Sequence, residues 1–373
     1  MRGDYARETA AERPGIAQPV PVREVPALAW RPIFLVSLLL FLVLLGAWEA
    51  YWRAFGATPG YYNSDGEWAQ QRRRIDAGEG NKTVLIGASR MLFDLRLDVW
   101  QKAAGERPIQ LAIEGTSALP VLEDLAADPN FTGHLLVGVA SDVLFAGFAY
   151  RGDVVPYYHK QSPSQRVGNR LSRWLIEPYF AFFDFDFALA AVLKRQGWPA
   201  RARMPVIHDV RKLLEQGPDR DTHMWSKVET DPQYRELARA IWAQRFDAPP
   251  PPNMDTPEKL QKVIDTQIER AVAAVTKLRA RGVKVLFVRP PTGGRYLEFD
   301  NKVFPREKTW DVLLAKTGAP GIHFQDYPEL HRNWDLPEWS HLSLADSGHY
   351  TTALYTIIER DFWPKDDKHA AAR

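Results

Sequence analysis

The chain has no cysteine, which excludes disulfides, thiolate metal sites and a cysteine nucleophile. It also lacks charge of one sign. Its 48 lysines and arginines stand against 46 aspartates and glutamates, and no long basic stripe is present. A general nucleic-acid binder is therefore not expected. The histidines are scattered, with no His-x-x-x-His or acidic pattern, so no metal site is expected. Neither common phosphate-binding glycine loop occurs, no internal repeat is visible, and no cofactor is implied.

What is present first is one long apolar run. Ile33 to Trp48 carries no charge and only Ser37 as a polar interruption. With Tyr51 and Trp52 extending it, the run reaches the roughly 20 residues that span a bilayer. Trp30, Trp48, Tyr51 and Trp52 read as interfacial anchors, and Arg31 can snorkel at the near end. About 30 residues precede the run and no small-x-small cleavage site follows, which argues against a cleaved signal peptide. Arg13, Arg23 and Arg31 lie before the run and only Arg53 lies close behind it. This bias predicts a cytoplasmic N-terminus with the bulk of the chain outside, on the periplasmic or extracytoplasmic face of the inner membrane. The expected organisation is a disordered cytoplasmic tail over 1–30, a transmembrane helix over 31–52, a juxtamembrane stem over 53–79 and a catalytic domain over 80–373.

Within that domain, apolar strand-like runs alternate with helix-like segments. Strands are expected at Thr83 to Ile86, Ile109 to Ile113, Leu135 to Val139, Val283 to Val288 and Ile322 to Phe324. Helices are expected over Leu92 to Ala104, after a Ser117 cap, from Thr256-Pro257-Glu258 to a stop at Gly282, and over Ala345 to Phe362. Such alternation implies a parallel sheet covered on both faces. An insertion interrupts it at about 146–252. This block is aromatic-rich and irregularly spaced, and it ends in the Pro249 to Pro252 linker. Its aromatics suit core packing of the insertion, or a face toward lipid, a partner protein or a glycan.

Two segments carry chemistry. Val84-Leu85-Ile86-Gly87-Ala88-Ser89-Arg90 is a strand running into a Gly-x-Ser turn, and Glu338-Trp339-Ser340-His341 places an acid three residues before a histidine. Together they supply a nucleophile, a base and a base-orienting acid. The bland readings are a helix-capping serine and a surface histidine in a Trp-rich loop. Asp335 and Asp346 are rival acids to Glu338, and His349 reads as an exposed residue of the terminal helix. Ser89, Gly115 and Ser141 each lie just past a strand end, where ligands bind in such sheets. Pro290 to Arg295 reads as a loop at the same rim, either a plain turn or a cradle for an anionic or sugar group.

On these residues the chain resembles the SGNH superfamily of GDSL-type esterases and acyltransferases. Gly87-Ala88-Ser89 stands at its Gly-Asp-Ser block, Gly115 at its second-block glycine, Val139-Ala140-Ser141-Asp142 at its Gly-x-Asn-Asp block and Glu338-Trp339-Ser340-His341 at its Asp-x-x-His block. Ala88, Ser141 and Glu338 depart from the family pattern. The resemblance covers roughly residues 80–145 and 256–362. It implies a three-layer α/β/α sandwich around a mostly parallel, flavodoxin-like five-stranded sheet, preceded by one transmembrane helix. It also implies that Ser89 attacks, that His341 is the base and that Glu338 orients it. The Ser89 and Gly115 amides, with Ser141, would form the oxyanion hole, and Arg90 and Arg295 would contact substrate. Arg90 after the serine is similar to the membrane-anchored subgroup that works in polysaccharide O-acetylation. The partners that implies are a membrane-bound O-acyltransferase and a polysaccharide acceptor. The competing expectation is a degenerate, non-catalytic scaffold that docks a membrane acyltransferase or polysaccharide synthase.

Overall fold

The computed structural model describes residues 28–195 and 212–364. Residues 1–27 of the expected 1–30 tail and 196–211 of the insertion lie outside the described residues. The chain divides into two compact units, Met1–Ala50 and Tyr51–Arg373. In the first, the helix Trp30–Phe55 begins. It is 26 residues long and its Ile33 to Leu44 side chains are exposed. At 1.5 Å per residue it extends about 39 Å, so it is long and apolar enough to cross a membrane. It is longer at both ends than the expected 31–52.

The second unit has mixed α/β content. Its strands are β1 (Val84–Ile86), β2 (Ile109–Gln110), β3 (His134–Gly138), β4 (Leu214–Gln216), β5 (Thr222–Met224), β6 (Lys284–Arg289) and β7 (Gly321–His323). Five form one sheet in the order β2-β1-β3-β6-β7, with every pairing parallel. β4 and β5 make a separate antiparallel hairpin inside the insertion. β1 is apolar and buried throughout, and β3 and β6 are apolar and buried between their polar ends, His134, Lys284 and Arg289, as expected for strands covered on both faces. One contiguous core joins Val84, Ile86, Leu135, Val137 and Phe287 to the helices Leu119–Ala127 and Pro257–Ala280 through Leu122, Ile268 and Val275. Thr256 caps the latter helix with Pro257 at its first position, as the sequence predicts.

Three expected boundaries shift for identifiable reasons. The helix expected over Leu92 to Ala104 is two helices, Ser89–Phe93 and Leu97–Ala104. Between them the Asp94 carboxylate turns to accept from the Leu342 amide at 2.9 Å and Asp221 Oδ1 accepts from the Leu97 amide at 3.1 Å. Beyond β2, Leu111 and Ile113 still donate to Leu85 and Gly87, so the chain runs alongside β1 without forming a longer strand. The cap expected from Ser117 is displaced to Ala118, although the Ser117 hydroxyl does accept from the Leu119 amide.

The turn after β1 depends on glycine. Gly87 has φ +150°, and a Cβ there would lie 2.5 Å from Met91 Cγ and 3.1 Å from Gly138 Cα. Only glycine meets both constraints without strain. This lets the chain pass from strand to helix within two residues and puts Ser89 at the first helical position.

Candidate active site

Ser89, Gly115 and Ser141 follow the carboxyl ends of β1, β2 and β3, which are side by side in the sheet. Ser89 and Ser141 each open a helix, where backbone N–H groups have no intrahelical acceptor. Gly115 has φ +56°; its carbonyl accepts from Tyr150, and its amide donates to no backbone carbonyl. Three amides therefore stand at one edge of the sheet. The Ser141 side chain is buried and lines a small cleft with Arg289, Asp300 and His323.

The segment from Glu338 to Ser343 packs against the helix that Ser89 opens. Leu342 is bonded to Asp94, and Ser340 Oγ is 3.3 Å from Arg90 Nε. The His341 ring stacks on Phe93 with centroids 4.2 Å apart and planes 21° apart. Phe93 lies four residues after Ser89, so the imidazole packs on the short helix that Ser89 opens. His341 is 1 % exposed and Glu338 fully buried. Glu338 Oε1 is 2.7 Å from both the backbone nitrogen and Nδ1 of His341. The other ring nitrogen, Nε2, is buried without a hydrogen-bond partner. Ser89 Oγ is not bonded to it in this conformation. Neither rival acid is bonded to His341: the Asp346 carboxylate accepts from the Asp335 amide and faces His349, which is exposed as expected, and Asp335 is joined to Ser343 and Asp346 through its backbone.

The insertion reaches into this site. Helix Pro232–Asp247, capped by Asp231, sends Trp242 Nε1 to donate to Glu338 Oε2. It also sends Arg239 Nε to the Pro337 carbonyl at 2.8 Å. Both oxygens of Glu338 are thus engaged: one holds the histidine and the other is held by the tryptophan. Trp339, between the acid and the base, has φ +72°, a conformation that costs a bulky residue about 1–3 kcal/mol and persists only where surroundings enforce it. Here the Gly293 amide donates to its carbonyl, and its ring lies where any Gly294 side chain would be, with Cδ1 2.6 Å from an ideal Cβ. The Pro290 to Arg295 loop therefore has a visible role as the buttress of the Glu338 to His341 turn.

Arg90 and Arg295 lie in contrasting surroundings. Arg295 is exposed and paired with Asp247 at 2.8 Å. Arg90 is buried, 3.6 Å from Asp300 and 3.9 Å from Asp142, with its guanidinium 4.5 Å from the Tyr296 ring centre. Burial works against its charge, but Asp300, Tyr296 and Asp142 outweigh this and hold its pKa above the ordinary value. Burial also pushes the Asp94 carboxyl well above the usual carboxylate range, against the Leu342 amide and Arg90, with Glu338 adding to the rise. Arg90, Asp94 and Ser340 together clamp the histidine segment to the serine helix.

Trp242, Phe93 and Asp94 are neighbours of the Glu338–His341 pair that the sequence alone did not single out. The one available signal was Asp231-Pro232, a helix start of the same kind as Thr256-Pro257. A cleft of about 220 Å³ opens elsewhere, lined by residues that include Tyr61, Tyr62, Lys212, Glu215 and His223. It contains none of Ser89, Glu338 or His341. Among the described residues no His, Asp or Glu cluster is arranged to hold a metal ion. No family model, curated protein or solved structure matches this chain.

Proposed function

We propose that this chain is a membrane-anchored serine O-acyltransferase or esterase of the SGNH type, folded as a three-layer α/β/α sandwich and facing the extracytoplasmic side. The observation that supports the reading is the buried Glu338–His341 pair, whose Nε2 has no hydrogen-bond partner and whose ring stacks on Phe93, four residues after Ser89 on the helix that Ser89 opens. Ser89 Oγ attacks the acyl carbonyl as His341 Nε2 takes its proton. Glu338 holds the imidazole through Nδ1 and stabilises the imidazolium. The Ser89 and Gly115 amides, with the Ser141 hydroxyl, meet the oxyanion. Collapse expels the donor alcohol or thiol, which leaves with the proton from His341. A sugar hydroxyl, or water, then gives its proton to His341 and attacks the acyl-serine ester, restoring Ser89. The acceptor is a surface or exported polysaccharide, and the acyl group, most simply acetyl, comes from a membrane-bound O-acyltransferase.

The test is covalent. A serine-reactive organophosphonate should add to Ser89 in the full-length protein, seen by peptide mass spectrometry, and neither Ser89→Ala nor His341→Gln should be labelled there. If the folded wild type resists labelling and a membrane acyltransferase co-purifies with wild type and Ser89→Ala alike, the scaffold reading takes its place.

A further inference from the structure

The helix Pro163–Leu175 is built inside out. No residue on it is fully buried, yet the face turned inward is polar. Asn169 lies against Gly66 and bonds the Tyr157 hydroxyl, Ser172 bonds Glu177, and Arg173 pairs with Glu67 of the stem helix Asp65–Arg74. The opposite face is apolar: Val167, Leu171, Trp174 and Leu175 are 48–68 % exposed. Their spacing, four, then three, then one, puts them on one stripe. Exposed Arg166 and Arg170 run along the edge of that stripe, and the helix contains no acidic residue. An apolar stripe of this kind, edged with arginine and ending in tryptophan, fits the boundary between lipid headgroups and acyl chains. The arginines favour an anionic leaflet.

A second observation fixes which surface covers it. The chain leaving this helix returns to the last turn of Trp30–Phe55. Arg53 donates to the Tyr179 carbonyl at 2.9 Å, and Trp52 stacks on Phe187 with centroids 4.6 Å apart. Tyr179 and Leu189 beside these contacts are exposed as well. A helix about 39 Å long outruns a hydrocarbon core of about 30 Å, so its last turn, with Trp52 and Arg53, falls at headgroup depth. We propose that the Pro163–Leu175 helix lies in the interface of the bilayer that Trp30–Phe55 enters, as a second, monotopic anchor on an anionic lipid surface. This rests on Trp30–Phe55 spanning a bilayer, and it holds the domain down on the leaflet instead of leaving it tethered by a flexible stem.

The absence of native cysteine makes the test direct. Single cysteines at Val167, Leu171 or Trp174 in the full chain, in nanodiscs containing phosphatidylglycerol, would carry a nitroxide. Its collision rates with oxygen and with a water-soluble nickel complex would be read by power saturation. Leu40→Cys serves as the reference inside the span and Lys302→Cys as the reference in water. The expected result is that the three helix labels favour oxygen, as Leu40 does, and that Arg166→Glu with Arg170→Glu shifts them toward the Lys302 pattern. Labels that favour nickel while Leu40 favours oxygen overturn the proposal and leave the span intact. A Leu40 label that favours nickel overturns both. Helix labels shielded from both reagents mean that a protein covers the face, which also overturns it.

Discussion

Trp242 Nε1 donates to Glu338 Oε2 across 96 residues of sequence, so the acid that holds His341 is itself held by the insertion. A carboxylate with one oxygen free to rotate would lose the double grip that Oε1 has on the His341 amide and ring. Trp242→Phe keeps the ring's edge-on contact with Tyr296 and removes only the donor. A hydrogen bond to a charged group contributes about 1.5–3 kcal/mol, so kcat on p-nitrophenyl acetate should fall about tenfold to a hundredfold with KM little changed. An unaltered kcat would mean that the indole only fills space.

Glu338→Gln should cut the rate by about 10²–10⁴-fold while circular dichroism and melting temperature stay close to wild type. An amide can place its NH₂ or its oxygen toward the two N–H groups of His341, but it cannot stabilise an imidazolium. Asp335→Asn should leave the rate near wild type, because the Asp335 backbone and not its carboxylate joins the network through Ser343 and Asp346. The reverse pattern would reassign the acid.

The parallel sheet was legible because buried parallel strands are written as short, wholly apolar runs, and Val84 to Ile86 and Leu135 to Val137 are such runs. The Glu338–His341 pair was legible because it is local, three residues apart. Long-range contacts were not. The apolar rhythm of Leu92, Leu95, Leu97 and Trp100 hides the break at Asp94, which exists to meet an amide 248 residues away. The Pro163–Leu175 helix was read as part of an irregular aromatic block because its apolar stripe faces outward, so the usual inference from stripe to core fails there. Trp242 looked like one aromatic among many, since nothing in its own helix points to Glu338.

Gly87→Ala should destabilise the fold by about 1–3 kcal/mol from the backbone conformation alone, and by more from the approach to Met91 and Gly138. Activity should fall further than stability, since any relief tilts the helix that Ser89 opens. Combining it with Met91→Ala removes the contact with Met91 Cγ but leaves Met91 Cβ at 2.9 Å and Gly138 Cα at 3.1 Å, so the recovery in melting temperature should be partial. Full recovery would show that backbone strain at residue 87 is negligible.

The pH dependence of stability should carry the signature of His323. Burial, with Arg289 and Arg306 adding to it and Asp326 opposing, pushes this imidazole down to about 3 from an ordinary 6.5. It packs between Trp310 and Phe324, with its Nδ1 facing the Gln325 amide. A neutral histidine in the folded state and a protonated one in the unfolded state mean that the unfolded chain binds the extra proton. The contribution is therefore fully present above pH 6.5 and drains away as pH falls toward 3, at up to about 1.4 kcal/mol per pH unit. His323→Phe keeps the ring stack and cannot take the proton. Its melting temperature should be somewhat lower than wild type at pH 7.5, for the lost acceptor, yet fall less steeply between pH 6.5 and 4, so that the two curves converge or cross. Parallel curves across that window would place the acid-sensitive group elsewhere in the fold.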